Sequence, residues 1–471
     1  LKQSTHLKIG QQLLDKLAKE DPEKRIFELV NQLNYGQHLI TEPPQKLHLA
    51  KLNCTAGEKA KNATAYQAAV IYLGVGMQLL GNDGWDFDYI LTQNIYTLAT
   101  EVAYLNGDFA EMEILARLVL RHGQTLLDKI PVYETLIVAH IVQNKQILAV
   151  NTALSVLQQL GINLPEQPTT ADFTQGLEAV NQNLPGCPIE NLVNLPLISD
   201  RNIAAGMRIL ASIFSAAYVT VPSLVPLIAF KIVKLSIQYG NAPDSAFGYS
   251  LHGLILCGVL GDIESGYAYG QVAQSLLERG QAKGYQAKVR EIFATFIQHW
   301  QESLHATLPL LMQSYQDGLE EGDLEFSGYF LSNYAYHSLW LGKNLKDLSQ
   351  EIASHNEALG KISQNVAQTH HKIHWQTVLN LLGEAENPHL LVGQVYDTRE
   401  MQVWHEEKGD LTGLAFLSLC QMFLCYLFED MPTAAQQSAT VSQYLGALIG
   451  SSCIGVFHFY DSLVQLANFD G

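Results

Sequence analysis

Charge is scarce in this chain. Only 16% of its 471 residues are Asp, Glu, Lys or Arg, against ~25% in a typical globular domain. Basic residues are the scarcest, with 28 Lys and Arg against 46 Asp and Glu and a net charge of -18. No basic run exists to neutralise phosphates, so nucleic acid and anionic membrane surfaces are not expected partners. The six cysteines, Cys54, Cys187, Cys257, Cys420, Cys425 and Cys453, are scattered without a C-x-x-C pair. This excludes a disulfide framework and points to a reducing compartment, the cytoplasm. Strand patterns are nearly absent. No signal peptide is present at Leu1-Lys2-Gln3-Ser4, and both ends look cut, so a piece of a larger protein is expected.

What the chain has in abundance is apolar side chain, 48% of residues, which excludes disorder as its main state. Two runs carry no charge, Ile209 to Phe230 and Leu411 to Phe428, and approach the ~20 residues of a membrane span. Pro222 and Pro226 break the first into short helices. Gln421 interrupts the second and Glu429-Asp430 follows it. Both read as buried helices rather than spans.

Apolar residues recur at i, i+3, i+4 and i+7 in segments of helical length. The segments are separated by Asn106-Gly107-Asp108, Gly261-Asp262, Gly322-Asp323, Gly342-Lys343-Asn344 and Gly409-Asp410. Glycine closes one helix in a left-handed turn, and Asp or Asn caps the next. In the clearest unit, Ile90 to Leu120, a helix ends at Asn106. The helix after it places Met112, Ala116 and Val119 on one face. The layout recurs at Ala65, Ala69 and Tyr72, at Ala149, Ala153 and Val156, and at Gly266, Gly270 and Ala273. More diverged copies fall at Leu345 and Leu348 and at Ala435 and Ala439. Small residues at this spacing let paired helices approach closely, the logic of tetratricopeptide repeats. The expected fold is therefore all-α, a right-handed superhelix of about eight or nine tetratricopeptide-like helical pairs. Five of the 15 prolines lie between 161 and 200, around a short helix expected over Ala171 to Asn183. The expected organisation is an N-terminal helical-repeat lobe (1–160), a proline-rich bridge (161–200) and a C-terminal helical-repeat lobe (201–471).

Longer motifs carry a resemblance. HLKIGQQLL from His6, IFELVNQLNYG from Ile26, LNCTAGEKAKNATAYQAAVIYLGVGMQLL from Leu52 and AYLNGDFAEME from Ala103 form one pattern. It continues in LSIQYGNAPDSAFGYSLHGLILCGVLGDIESGYAYG from Leu235, GLEEGDLEFSGY from Gly318 and FHFYDSL from Phe457. The pattern resembles the helical region of large bacterial multidomain signalling kinases common in cyanobacteria. In that family a Ser/Thr kinase domain and a predicted AAA/STAND-type ATPase precede the helical region. A GAF sensor, and often a histidine kinase module, follow it. The resemblance implies a non-catalytic regulatory or scaffolding module that binds neighbouring domains or other signalling proteins. A small-molecule sensor is the alternative. No cofactor is implied.

The residues themselves support no enzyme. A G-x-x-x-x-G-K-[ST] phosphate loop and the H-R-D and D-F-G kinase signatures are missing. His370 and His374 share a helix face as zinc ligands do, but no third ligand is evident, so no metal is expected. His405-Glu406-Glu407-Lys408-Gly409 lacks the second histidine of a zincin. Glu320, Glu321, Asp323 and Glu325 flank a turn and read as helix-capping acids. Gly450 to Gly455 is not a G-x-S-x-G elbow. Tyr329, Tyr336 and Trp340 fall on one helix face and are the candidate partner or ligand surface, although aromatics are also the usual glue between helices.

Overall fold

The computed structural model describes residues 2–17, 25–184, 186 and 188–469, so Cys187 lies outside the described residues. The fold is all-α, 79% helix, with no strand among the described residues. The chain divides into two compact units, Leu1–Pro168 with Asp200–Val225, and Thr169–Ser199 with Pro226–Gly471.

The first unit opens with α1 (Lys2–Leu17), α2 (Ile26–Tyr35), α3 (Pro43–Asn62), α4 (Tyr66–Leu80) and the single turn α5 (Gly84–Phe87). α6 (Tyr89–Leu105), α7 (Phe109–His122), α8 (Leu126–Val142) and α9 (Gln146–Gln159) follow. The proline-rich stretch then supplies α10 (Thr170–Gln182) to the second unit, capped by Thr169 and Asp172 reciprocally. α11 (Arg201–Ser212) and α12 (Phe214–Thr220) return to the first unit.

The second unit continues with α13 (Leu224–Tyr239), α14 (Pro243–Ile255), α15 (Ile263–Glu278), α16 (Gln286–Ile292) and α17 (Thr307–Glu321). After these come α18 (Leu324–Trp340), α19 (Leu345–Lys361), α20 (Asn365–Leu381) and α21 (Thr398–Lys408). α22 (Leu411–Leu427), α23 (Met431–Tyr444) and α24 (Cys453–Ala467) complete it. A π-turn extends α14 over Leu256–Leu260, and another extends α16 over Phe293–Ile297.

Local chemistry sets these boundaries. Gly107, Gly261, Gly322, Gly342 and Gly409 all have left-handed φ, between 64° and 79°. The residues expected to cap the next helix do so. Asp108, Asp262, Asp323, Asn344 and Asp410 each accept a hydrogen bond from a first-turn backbone N–H.

Packing follows a simple rule. Sequence neighbours form hairpins, α6 with α7, α8 with α9, α14 with α15, α17 with α18, α19 with α20 and α22 with α23. Alternate helices also touch in a row. In the first unit α4 meets α6 and α6 meets α8. In the second the row runs α14, α16, α18, α20, α22, α24. Met112, Ala116 and Val119 are buried as expected, and so are Ala149, Ala153 and Val156. The late copy is displaced by one position. α23 buries Ala434, Ser438 and Val441, while Ala435 is half-buried and Ala439 exposed. Ser438 turns inward because its hydroxyl donates to Asp461. Ala65 is exposed and caps α4, whose inward face starts at Ala69.

α14 and α15 approach most closely through glycine. A Cβ on Gly266 would lie 2.8 Å from the Gly253 carbonyl oxygen and 3.0 Å from the Cys257 amide nitrogen. Both are backbone atoms and cannot swing aside. Gly266→Ala is expected to destabilise the second unit by about 1–3 kcal/mol, the usual cost of overpacking. Chemical denaturation checks this, and an unchanged midpoint contradicts it.

No single described helix is long and apolar enough to cross a membrane. The pair α11 and α12 passes such a test together but is bent by 47°. The uncharged run at Ile209 is thus broken at Ile213 as well as before Pro222. α22 is buried without interruption from Gly413 to Cys425. It is apolar on all sides because α20, α21, α23 and α24 surround it.

Candidate functional site

The second unit buries an unusual amount of polar chemistry along its helix row. Glu291 on α16 accepts hydrogen bonds from Asn333 of α18 at 2.7 Å and from Thr295 at 3.3 Å. His337 on α18 pairs through Nδ1 with the Thr307 hydroxyl at 2.6 Å. His371 on α20 bonds the Ile352 carbonyl at 2.9 Å. Burial pushes the Glu291 carboxyl up to about 8, only partly opposed by the Thr295 and Asn333 bonds. It pushes the His337 imidazole down to about 3.

The most connected group lies where α20, α21 and α22 meet. His370 on α20 donates from Nε2 to Asp410, 2.8 Å to Oδ2 and 3.0 Å to Oδ1. His405, one turn from the end of α21, donates from Nδ1 to the same Oδ2 at 2.7 Å. The Tyr396 hydroxyl bonds the other nitrogen of His405, Nε2, at 3.0 Å. Asp410 also caps α22, its Oδ1 accepting from the Gly413 N–H at 2.9 Å. The turn between α21 and α22 creates this geometry. Gly409 reverses the chain at φ 64°, a conformation costly for residues with a Cβ. That turn sets Asp410 beside the end of the helix that carries His405. A Cβ on Gly413 would collide with the His405 ring and the Asp410 carboxylate, so glycine is the residue that leaves room for the pair.

Burial alone would raise the Asp410 pKa. The hydrogen bonds from His370 and His405 outweigh it and hold the carboxyl well below its usual range. The carboxylate is therefore anionic at neutral pH. Among the described residues its side-chain hydrogen-bond partners are the two imidazoles.

Tyr396 comes from a loop, 383–397, that buried amides hold in shape. Asn380 donates to the Pro388 carbonyl at 3.0 Å and to that of Leu390 at 2.5 Å. Gln421 accepts from the Leu391 N–H at 3.0 Å and donates to the His389 carbonyl. Gln376 accepts from the Val395 N–H at 3.3 Å. A tight turn closes the loop, with the Gly393 N–H donating to the Tyr396 carbonyl at 2.9 Å. A cavity of about 530 Å³ opens beside it, lined by Glu384, Glu386, Asp397, Arg399, Gln402 and Gln421 among others. Tyr396→Phe leaves the buried His405 Nε2 without its partner. A loss of about 1–3 kcal/mol is expected. Denaturation midpoints check it, and a variant as stable as the parent contradicts it.

The residues singled out in the sequence are distributed differently. Tyr336 is 1% exposed and is enclosed by His374 and Phe416, so it belongs to the core and not to a partner surface. Trp340 is half-buried, edge-on to Phe423, and Tyr329 is half-buried against Phe326. The reason is the position of α18, which packs on α16, α17, α19 and α20 and keeps little free circumference. His374 does not join His370 despite the one-turn spacing. It turns to Tyr336, Phe416 and the Cys420 sulfur, 3.7 Å from Nδ1. Burial pushes the Cys420 thiol up to about 12, which keeps it protonated.

The acidic turn is structural. Asp323 caps α18 and pairs with Lys288 at 3.3 Å. Glu321 accepts from the N–H groups of Gln286 and Ala287 at the start of α16. The Glu325 side chain lies outside the described residues. The sequence reading met His405 and the Gly409-Asp410 cap separately and joined neither to His370, and it passed over Tyr396. Asp410 is 40 residues from His370, and the only local signal was the Gly409-Asp410 cap.

No family model matches the chain. In an alignment that covers 69% of its length, it is 23% identical to "Hybrid signal transduction histidine kinase G" of Dictyostelium discoideum. The chain spans 10% of the length of that protein. The weak relative thus puts the all-helical chain in the context of signalling kinases.

Proposed function

We propose that this chain is a non-catalytic regulatory module of a multidomain signalling kinase, built as a right-handed tetratricopeptide-like superhelix. The observation that carries the reading is the row of alternate helices, each touching the next-but-one and each paired with its sequence neighbour. Such stacking makes each pair depend on its neighbours and passes a displacement along the array. The similarity to a much longer signalling kinase, 10% of whose length is matched, supports a place inside a larger protein. By the resemblance of its motifs, that protein is of the cyanobacterial type, with kinase and ATPase modules before the repeats and sensor and histidine kinase modules after them. Its setting is cytoplasmic. Its partners are those neighbouring domains, bound through the helical surface, and no reaction is assigned to the chain itself.

Pull-down with the separated neighbouring domains tests the reading. Capture of at least one of them is expected, and failure to capture any contradicts it. A second reading, a small-molecule sensor, is favoured by the cavity beside the amide-held loop rather than by the buried aromatic stretch. A ligand there raises stability by RT ln(1 + [L]/Kd). A metabolite whose thermal shift is abolished by lining substitutions such as Gln402→Ala would establish it.

A further inference from the structure

We propose that His370, His405 and Asp410 form a binding site for one divalent transition-metal ion, of which Zn²⁺ is the best fit. His370 Nε2, His405 Nδ1 and an Asp410 oxygen all lie within 4.8 Å of one another. His370 lies on α20, His405 on α21, and Asp410 is the cap residue of α22. Asp410 divides its labour. Oδ1 is engaged by the Gly413 N–H of the helix cap, while Oδ2 faces both imidazoles at 2.7 and 2.8 Å. Two imidazole nitrogens and one carboxylate oxygen are a donor set that zinc accepts, with one position left for water. Metal–ligand bonds of ~2.0–2.1 Å in a tetrahedron separate the ligand atoms by about 3.3 Å. Each imidazole nitrogen, now 2.7 and 2.8 Å from Asp410 Oδ2, therefore moves away from it by roughly half an ångström to admit the ion.

The outer contacts are also those of a metal site. A ligating histidine is normally oriented through its second nitrogen, and Tyr396 holds His405 Nε2 at 3.0 Å. On loading, His405 carries its proton on Nε2 and donates it to Tyr396, while His370 carries its own on Nδ1. Each ring then turns a lone pair to the metal. Charge favours the ion as well. The chain is strongly acidic overall, and Asp410 is a buried anion that neither lysine nor arginine pairs with among the described residues. His374, one turn from His370, takes no part, because it faces Cys420.

The purified full chain, stripped with chelator, is titrated with Zn²⁺ by calorimetry and with Co²⁺ by visible absorption. One equivalent is expected, with four-coordinate cobalt bands and no thiolate charge-transfer band. Asp410→Asn keeps the helix cap, since Asn caps as well as Asp. His370→Gln keeps a donor toward Asp410. Both are expected to retain the parental circular dichroism while weakening metal binding at least tenfold. Absence of stoichiometric binding overturns the proposal. So does sulfur ligation, or unchanged affinity in the two folded variants.

Discussion

Asp410→Ala is expected to cost roughly 3–5 kcal/mol, from a lost helix cap and two buried donors left without their acceptor. Three contributions run together at this residue. The helix cap on Gly413 is lost, a term of about 1 kcal/mol. His370 and His405 lose a shared acceptor, and a buried donor left without a partner costs about 1–3 kcal/mol. Asp410→Asn restores the cap and one acceptor, so its cost is expected to be clearly smaller. The pH dependence carries a definite sign. The folded pKa lies below the ordinary 3.8, so the stabilisation is fully present above that value. It is lost as pH falls through the folded pKa. The Asp410 contribution to the difference between parent and Asp410→Ala therefore shrinks in acid. Urea denaturation at pH 7 and at pH 2.5 measures it. A difference that grows in acid contradicts this account of the site.

Glu291→Gln is expected to stabilise the protein at alkaline pH. The folded carboxyl titrates at about 8 and the unfolded one near 4.5, and burial is the largest cause of the difference. Between these values the folded state holds a proton that the unfolded state has released. Stability from this residue is present below pH 4.5 and falls as pH rises toward 8, by at most about 1.4 kcal/mol per pH unit. Glutamine is neutral throughout, and its oxygen accepts from Asn333 and Thr295 as the acid does. The variant and parent should match near pH 4. By that slope, the variant should exceed the parent by roughly 3–5 kcal/mol at pH 8. A parent and variant with parallel pH profiles would show that Glu291 is ionised in the fold.

Both effects concern residues whose importance is invisible in sequence, while much of the scaffold is plain there. Glycine and Asp or Asn at helix boundaries act within a few residues, so the turns at Gly107, Gly261, Gly322, Gly342 and Gly409 were legible. Inward faces built on alanine and glycine, such as Ala149, Ala153 and Val156, were legible for the same reason. The reading slipped where a polar residue is buried by a distant partner. Ser438 moved the register of α23 by one position because Asp461 waits for it. The aromatic face of α18 stood open to both a surface and a core reading, because amphipathic spacing does not distinguish solvent from a fourth neighbouring helix. His370 found Asp410 across 40 residues, a pairing created by the stacking of α20 on α22 and not by any local spacing. The two uncharged runs, expected as buried helices rather than spans, form a bent pair leading into α13 and the buried helix α22.

The regulatory reading is tested most directly in the full-length gene product. Autophosphorylation is measured with residues 1–471 intact and with the helical array replaced by a flexible linker of equal reach. The account predicts that excision changes the rate, or its response to the input signal, while leaving the catalytic domains folded. An unchanged rate and an unchanged response would contradict it.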